Sequence, residues 1–395
     1  MFSLFMNPTK RIASIDVVRG IVMLVMALDH IRDLLHSTSL TQSPLNLATT
    51  TPVLFFTRWI THLCAPSFVF LSGASAYLSL QNKNNYRQSK SFLRKRGLWL
   101  IFLELTLINF VLWFDVRWRI EWIQVIAAIG FGFILLSILL RVQSKWLAVI
   151  ALIIIAAHDL LTTLPPPQNG FLHIMMAVLF QRSVFQVGPN FIFMVAYPWI
   201  PWFGIMLLGF AFGSQLKREA KQRRRFLLLA STIAICLFCV LRFINVYGDP
   251  APWSVQKSTG FTILSFLNVS KYPPSLIYTC VFLGIMFLLL LLFERIQGGF
   301  TKLLSVYGKV PMFYYIIHLC VIRIALFVMV FSQGFHWKDL SFAPFQFGRP
   351  TSGSGISLSM VYVVWILIVA LLYPLCKWYV GYKFSHREKW WLSYL

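Results

Sequence analysis

The first apolar stretch of this chain carries more ionisable groups than a buried helix tolerates without a reason. It reads Ser14-Ile15-Asp16-Val17-Val18-Arg19-Gly20, then eight apolar residues, then Asp29-His30-Ile31-Arg32-Asp33. Asp16 and Arg19 are three apart and share a helix face, so a local ion pair is expected. Arg19 and His30 are eleven apart, close to three turns, so they also share a face, roughly 16 Å apart along the axis. A second apolar stretch offers Arg58 and His62, four apart and on one face. If the two stretches are antiparallel neighbours, His30 and His62 meet at similar depth, with Asp29, Asp33 or Arg58 within reach. A histidine beside a carboxylate is the usual general base near neutral pH. The chemistry this set supports is removal of a proton from an attacking nucleophile. The competing reading is a polar network that only holds helices together.

Other candidates are more scattered. His318, with Arg323, follows the run Tyr307-Gly308-Lys309-Val310-Pro311-Met312-Phe313-Tyr314-Tyr315. His158 and Asp159 stand at the outer end of the fifth apolar segment. Glu104 and Arg242 are expected to pair across helices in a structural role. His173, His336 and His386 fall in loops or the tail and read as solvated. Cys236 and Cys239 form a C-x-x-C, but no second pair or nearby histidine completes a zinc site, so all six cysteines read as buried thiols and no metal is expected. There is no Walker A sequence, nucleophile elbow, H-E-x-x-H or dinucleotide fingerprint. Ser352-Gly353-Ser354-Gly355 lacks a following basic residue and is not a phosphate loop.

The elements that must position these groups are membrane helices. Of 395 residues, 58% are hydrophobic and only 12% charged, against about 25% charged in soluble domains. Apolar runs long enough to span the hydrocarbon core recur from end to end. They lack the alternation of a β-barrel, and runs such as 283–293 are apolar all round. The expected fold is an all-α polytopic bundle of about ten spans: 14–36, 53–80, 97–114, 122–140, 146–164, 191–215, 226–246, 275–293, 311–332 and 357–377.

Lys10 and Arg11, the loops at 81–96 and 216–225, Arg141 with Lys145, and the basic tail fall on one side. By the positive-inside rule that side is cytoplasmic, with both termini inside. The same rule accounts for the net charge of +23 and excludes nucleic acid as its reason. The first helix lacks a cleavage pattern and is expected to stay in the mature protein. Longer loops at 37–52, 165–190, 247–274 and 333–356 lie on the opposite face, and 171–187 is expected to lie flat or re-enter. Gly209 and Gly213 form a G-x-x-x-G suited to close helix packing. Residues 1–395 read as one transmembrane domain, with 11–230 as its core and 231–395 completing the bundle.

Arg11-Ile-Ala-Ser-Ile-Asp-Val-Val-Arg-Gly20 resembles the opening of the heparan-alpha-glucosaminide N-acetyltransferase catalytic-domain family. Arg58-Trp-Ile-Thr-His-Leu-Cys-Ala-Pro-Ser-Phe-Val-Phe-Leu-Ser-Gly73 is similar to the second helix of its bacterial members. Lys271-Tyr-Pro-Pro-Ser275 and the segment from Gly308 to His318 also resemble that group. The likeness is strongest over 11–80 and looser over about 190–330. Arg19 and His30, with ten residues between them, are also similar to the Arg-x10-His pattern of the membrane acyltransferases that O-acylate surface sugars.

The resemblance implies transfer of an acetyl group from acetyl-CoA to a hydroxyl or amine of a sugar or glycan at the outer face. It implies His30 as the base, supported by Arg19. In the lysosomal member an asparagine matches His30, and its catalytic histidine follows in the first luminal loop. The nearest loop histidine here is His36, so the base is His30 or His36. Asp29, His62 and Arg58 complete the catalytic set, with Asp29 or Asp33 orienting the imidazole and Arg58 or a helix N-terminus stabilising the oxyanion. Arg19, Asp16, His318 and Lys271 are assigned to the donor. Direct transfer and a covalent acetyl-histidine both stay open. A bacterial inner membrane, contact with lipid and possible oligomers complete the expectation. The rival class is a secondary transporter or channel that uses the buried His and Asp residues, although no inverted repeat supports it.

Overall fold

The computed structural model describes residues 12–81, 85–162, 164–350, 353–386, 388, 389 and 392. Lys10, Arg11 and Ser352, singled out above, lie outside them, as do Lys83 of the 81–96 loop and Arg387 of the basic tail.

The chain is mostly helical. In order it forms α1 (Ala13–Leu35), α2 (Pro52–Thr61), α3 (Cys64–Gln81), α4 (Tyr86–Leu103), a π-helical turn (Glu104–Ile108) and α5 (Asn109–Trp113). Next come β1 (Ile120–Ile123), α6 (Val125–Leu139), α7 (Ser144–Thr162), α8 (Gly170–Leu179), β2 (Ser183–Val187), β3 (Phe191–Val195) and α9 (Trp199–Leu216). The rest is α10 (Ala220–Ile244), α11 (Thr259–Leu267), α12 (Leu276–Arg295), α13 (Gly299–Lys309), α14 (Pro311–Ser332) and α15 (Leu358–Ser385). Among the described residues eight helical segments are long and apolar enough to cross a membrane: Pro52–Gln81, Tyr86–Trp113, α7, α9, α10, α12, α14 and α15. The other two expected segments are helices as well. α1 carries five charged residues, and α6 has only 15 residues.

α1 lies at the centre and packs against α2, α3, α12, α13, α14 and α15. Two close crossings set its surroundings. A side chain at Gly209 of α9 would run into the Phe70 carbonyl of α3, and one at Gly73 into the Met206 carbonyl. In the same way Gly20 of α1 lies against the Leu304 carbonyl of α13, and Gly308 against the Asp16 carbonyl. Small residues let these backbones touch, which is the packing expected of Gly209.

Pro66 explains why the second apolar segment is two helices. It has no N–H to bond the His62 carbonyl four residues back. α2 therefore ends at Thr61, and the released carbonyl accepts the Tyr278 hydroxyl of α12 at 2.8 Å.

The strands are what the apolar pattern hid. β3 pairs in parallel with β1 and antiparallel with β2, in the order β1-β3-β2. β1 and β3 run straight into apolar helices, and all three strands are rich in β-branched and aromatic residues. The segments expected from 122 and 191 thus begin as strand, and their helices start at Val125 and Trp199. Region 171–187 comprises most of α8 followed by β2.

Replacing Gly209 by Val should cost about 1–3 kcal/mol by overpacking against a backbone that cannot yield. Thermal melting in detergent checks it, and an unchanged melting point contradicts the α3–α9 contact.

Candidate functional site

Asp29, in the C-terminal third of α1, is the polar hub. Its Oδ1 accepts from Arg58 Nη1 at 2.6 Å, from Arg32 Nη2 at 2.8 Å and from Thr61 Oγ1 at 2.8 Å. Arg32 also pairs with Asp33. Arg58 and Thr61 lie in the last turn of α2, so the hub ties α2 to α1. The Asp29, Arg32 and Arg58 side chains are nearly buried, and Asp33 is half-exposed. His62 follows Thr61 at the helix break. Its ring packs edge-on against Tyr278 and Phe282, and among the described residues neither nitrogen has a hydrogen-bond partner or access to solvent.

His30 faces elsewhere. Its ring centroid is 5.3 Å from that of His318 and 6.3 Å from that of Tyr315, both on α14. Among the described residues it makes no hydrogen bond, and it is only partly buried. His318 is fully buried and stacks on Tyr314. Its Nδ1 lies 3.0 Å from the Tyr314 carbonyl. A carbonyl only accepts, so Nδ1 carries the proton and the lone pair sits on Nε2. Among the described residues that Nε2 has no partner. The arrangement sets a neutral imidazole, with an unused acceptor, beside the more open imidazole of His30.

His36 lies just past α1. Thr38 Oγ1 is 3.1 Å from its Nδ1. Burial, with Arg32 and Arg349 nearby, holds its imidazole below the ordinary value, so it is neutral at pH 7. Arg349, from the loop after α14, donates to the His36 carbonyl at 2.9 Å and to Ser39 Oγ at 2.9 Å. It anchors that loop over the end of α1. Burial lowers its pKa to about 10, which leaves it charged at neutrality.

Arg19 is two turns into α1, on the basic side. It donates to the Leu71 carbonyl at 3.0 Å and to Ser75. Two adjoining cavities meet at Arg19, Ser75 and Ser79. One, of about 970 Å³, is also lined by Asp16, Lys217, Arg218 and Arg223. The other, of about 260 Å³, is lined by Arg96, Lys309 and Lys383. Residues from distant basic loops therefore gather at one end of the bundle.

The family model for the catalytic region of heparan-alpha-glucosaminide N-acetyltransferase matches residues 11–242. The chain belongs to that family. No curated protein matches it. The matched region contains Asp29, His30, Arg58 and His62, whereas Lys271 and His318 lie beyond it. Membership makes the protein an acyltransferase by family, embedded in a membrane by its apolar helices.

Several expectations change against this geometry. His30 and His62 do not meet, and the ring against His30 is His318. Asp29 does not orient the His30 imidazole, because its carboxylate is taken by Arg58, Arg32 and Thr61. Arg323 does not accompany His318. It turns to the carbonyls of Val111, Leu112 and Phe347. Glu104 and Arg242 do not pair. Glu104 accepts the N–H groups of Gln124 (2.5 Å) and Ala127 (2.9 Å) at the start of α6. Arg242 donates to the carbonyls of Ala251, Ser265, Phe266 and Asn268. Backbone groups left over at helix ends attract both charges. Lys271, assigned to the donor with Arg19, stands near Asp29 instead. Arg349 was missed, and only its basic character in an otherwise neutral loop could have flagged it.

Asp29→Asn leaves two buried guanidinium groups short of a counter-ion and should cost about 3–5 kcal/mol. The double variant Asp29→Asn/Arg58→Met should recover part of that loss in thermal melting. A single variant as stable as the parent contradicts the hub.

Proposed function

We propose that the protein transfers an acetyl group from acetyl-CoA, held at the basic end of the bundle, to a sugar hydroxyl or amine arriving from the opposite face, with His30 as the base. The observation that carries this reading is the His30–His318 pair. His30 is the one of the three candidate histidines with no hydrogen-bond partner that is not sealed off. His62 is enclosed by aromatic rings, and His36 is tied to Thr38.

The basic end suits the donor. Coenzyme A is polyanionic, and the cavities around Arg19 are lined by Arg96, Lys217, Arg218, Arg223, Lys309 and Lys383. Asp16, Glu219 and Glu294 also line the larger cavity, so positive charge is in excess rather than alone, and that excess favours a polyanion. The rise from Arg19 to His30 is roughly 16 Å, a span suited to the slender pantetheine arm. The donor supplies an activated acyl carbon. His30 takes the proton from the acceptor hydroxyl or amine as the new bond to that carbon forms and the carbon–sulfur bond breaks. It then returns the proton to the departing thiolate. His318, through Nε2, accepts from a protonated His30 and so positions and stabilises it. Arg58 supplies positive charge near the developing oxyanion. The positive-inside pattern supports a cytoplasmic donor side with both termini on it, and a bacterial inner membrane fits that pattern.

Purified protein titrated with acetyl-CoA should bind it saturably, with coenzyme A in competition. His30→Ala should keep that binding and lose transfer to sugar acceptors by about 100-fold or more. Arg19→Ala should weaken donor binding. Full transfer by His30→Ala removes His30 as the base, and no binding at millimolar acetyl-CoA by folded protein removes the reading itself.

A further inference from the structure

Lys271 has no part in the proton transfer, and its surroundings are unusual. It is 7% exposed. Its Nζ lies 5.0 Å from the ring centre of Tyr272 and 5.8 Å from that of Tyr197. Among the described residues it makes no hydrogen bond and no ion pair. The carboxylate whose field it shares is Asp29, already taken by Arg58 and Arg32. Arg182 adds another cation 5.7 Å from the Tyr272 ring.

The loop that carries Lys271 is held on both sides by one carboxylate. Asp249 accepts from Ser270 N at 2.8 Å and Ser270 Oγ at 3.0 Å, and from Ser275 Oγ at 2.7 Å. Ser275 in turn caps α12 through Tyr278 N at 3.0 Å. The backbone that carries Lys271 is therefore held on both sides, and the rings of Tyr272 and Tyr197 flank its ammonium. A buried cation with no counter-ion is costly to desolvate. Cation–π contact with two tyrosines offsets part of that cost. Arg32, Arg58 and Lys271 face Asp29, with half-exposed Asp33 beyond, so the cluster carries an excess of positive charge. The phenol of Tyr272 reports the same field. Burial pushes it up, but Lys271, Arg58 and a hydrogen bond from Tyr197 outweigh burial and hold it below its ordinary value.

We infer that Lys271 anchors an anionic group of the acceptor, a carboxylate or phosphate borne by the sugar, on the loop side of His30. The inference rests on the reading above that the acceptor reaches His30 from this face. Lys271 lies within Coulombic reach of His30 and Asp29, so an anion held there keeps the rest of the sugar near the imidazole. An uncharged sugar leaves the ammonium without a counter-ion.

Calorimetric titration of the full-length protein in detergent with glucose, glucuronate and glucose 6-phosphate tests this without requiring turnover. At least one charged sugar should bind tenfold or more tightly than glucose, and which one does so decides between carboxylate and phosphate. Lys271→Met should close that gap, and Lys271→Arg should retain most of it. The melting temperature of Lys271→Met should not fall, because the change removes a lone buried charge. If that variant fails to fold, Lys271→Gln is read the same way. Equal binding of all three sugars by the parent protein overturns the inference, as does an unchanged gap in the folded Lys271 variant. Loss of acetyl transfer in the parent overturns the proposed function instead and leaves the binding comparison standing.

Discussion

The constraint on which the site depends is the buried carboxylate of Asp29. A charge in that position must be matched, and Arg58, Arg32 and Thr61 match it. Two of those partners come from α2 and one from α1, so the pairing fixes how the two helices meet. It also decides where His30 points. Successive helix residues are turned by about 100° from one another. With Asp29 committed to α2, His30 turns to a different neighbour, and that neighbour is α14. The His30–His318 contact follows from the need to neutralise the residue beside it.

The same logic accounts for how α14 and α12 reach the site. α13 lies against α1 through Gly20 and Gly308, and α14 starts directly after it at Pro311. Seven residues later His318 is beside His30. α12 is drawn in by the carbonyl that Pro66 releases, since Tyr278 bonds it. Once α12 is placed, the Lys271 loop at its start is placed too, through Ser275 and Asp249. Elements far apart in the chain converge because helix breaks and small residues leave specific contacts to be made.

Much of this was legible in the sequence. The apolar runs located every long helix, because length and composition suffice for a membrane span. The charged residues of the first span singled out the candidate site, because such groups are expensive in a membrane. The match to the family over residues 11–242 agrees with the resemblance carried by residues 11–20 and 58–73. What was not legible depends on tertiary choice. His318 is remote from His30 in the chain, and no local spacing connects them. Charge complementarity alone suggested Glu104 with Arg242, whereas each prefers the unpaired backbone groups of a helix end. β1 and β3 were hidden because their apolar residues merge with the helices that follow, and β2 because it follows the short apolar helix α8.

On the proposed function the molecule has a donor end around Arg19 and an acceptor end around His30, joined by three turns of one helix. The sharpest test of that division is sidedness of transfer. Protein is reconstituted in sealed vesicles whose orientation is established by proteolysis of the C-terminal tail. Acetyl-CoA labelled in the acetyl group is added to one face, and an impermeant sugar acceptor is placed on the other. Labelled acceptor should form only when the donor is on the face that carries Arg96, Lys217, Lys309 and Lys383. Equal labelling with the donor on either face, or labelling only with donor and acceptor together on the opposite face, would contradict it.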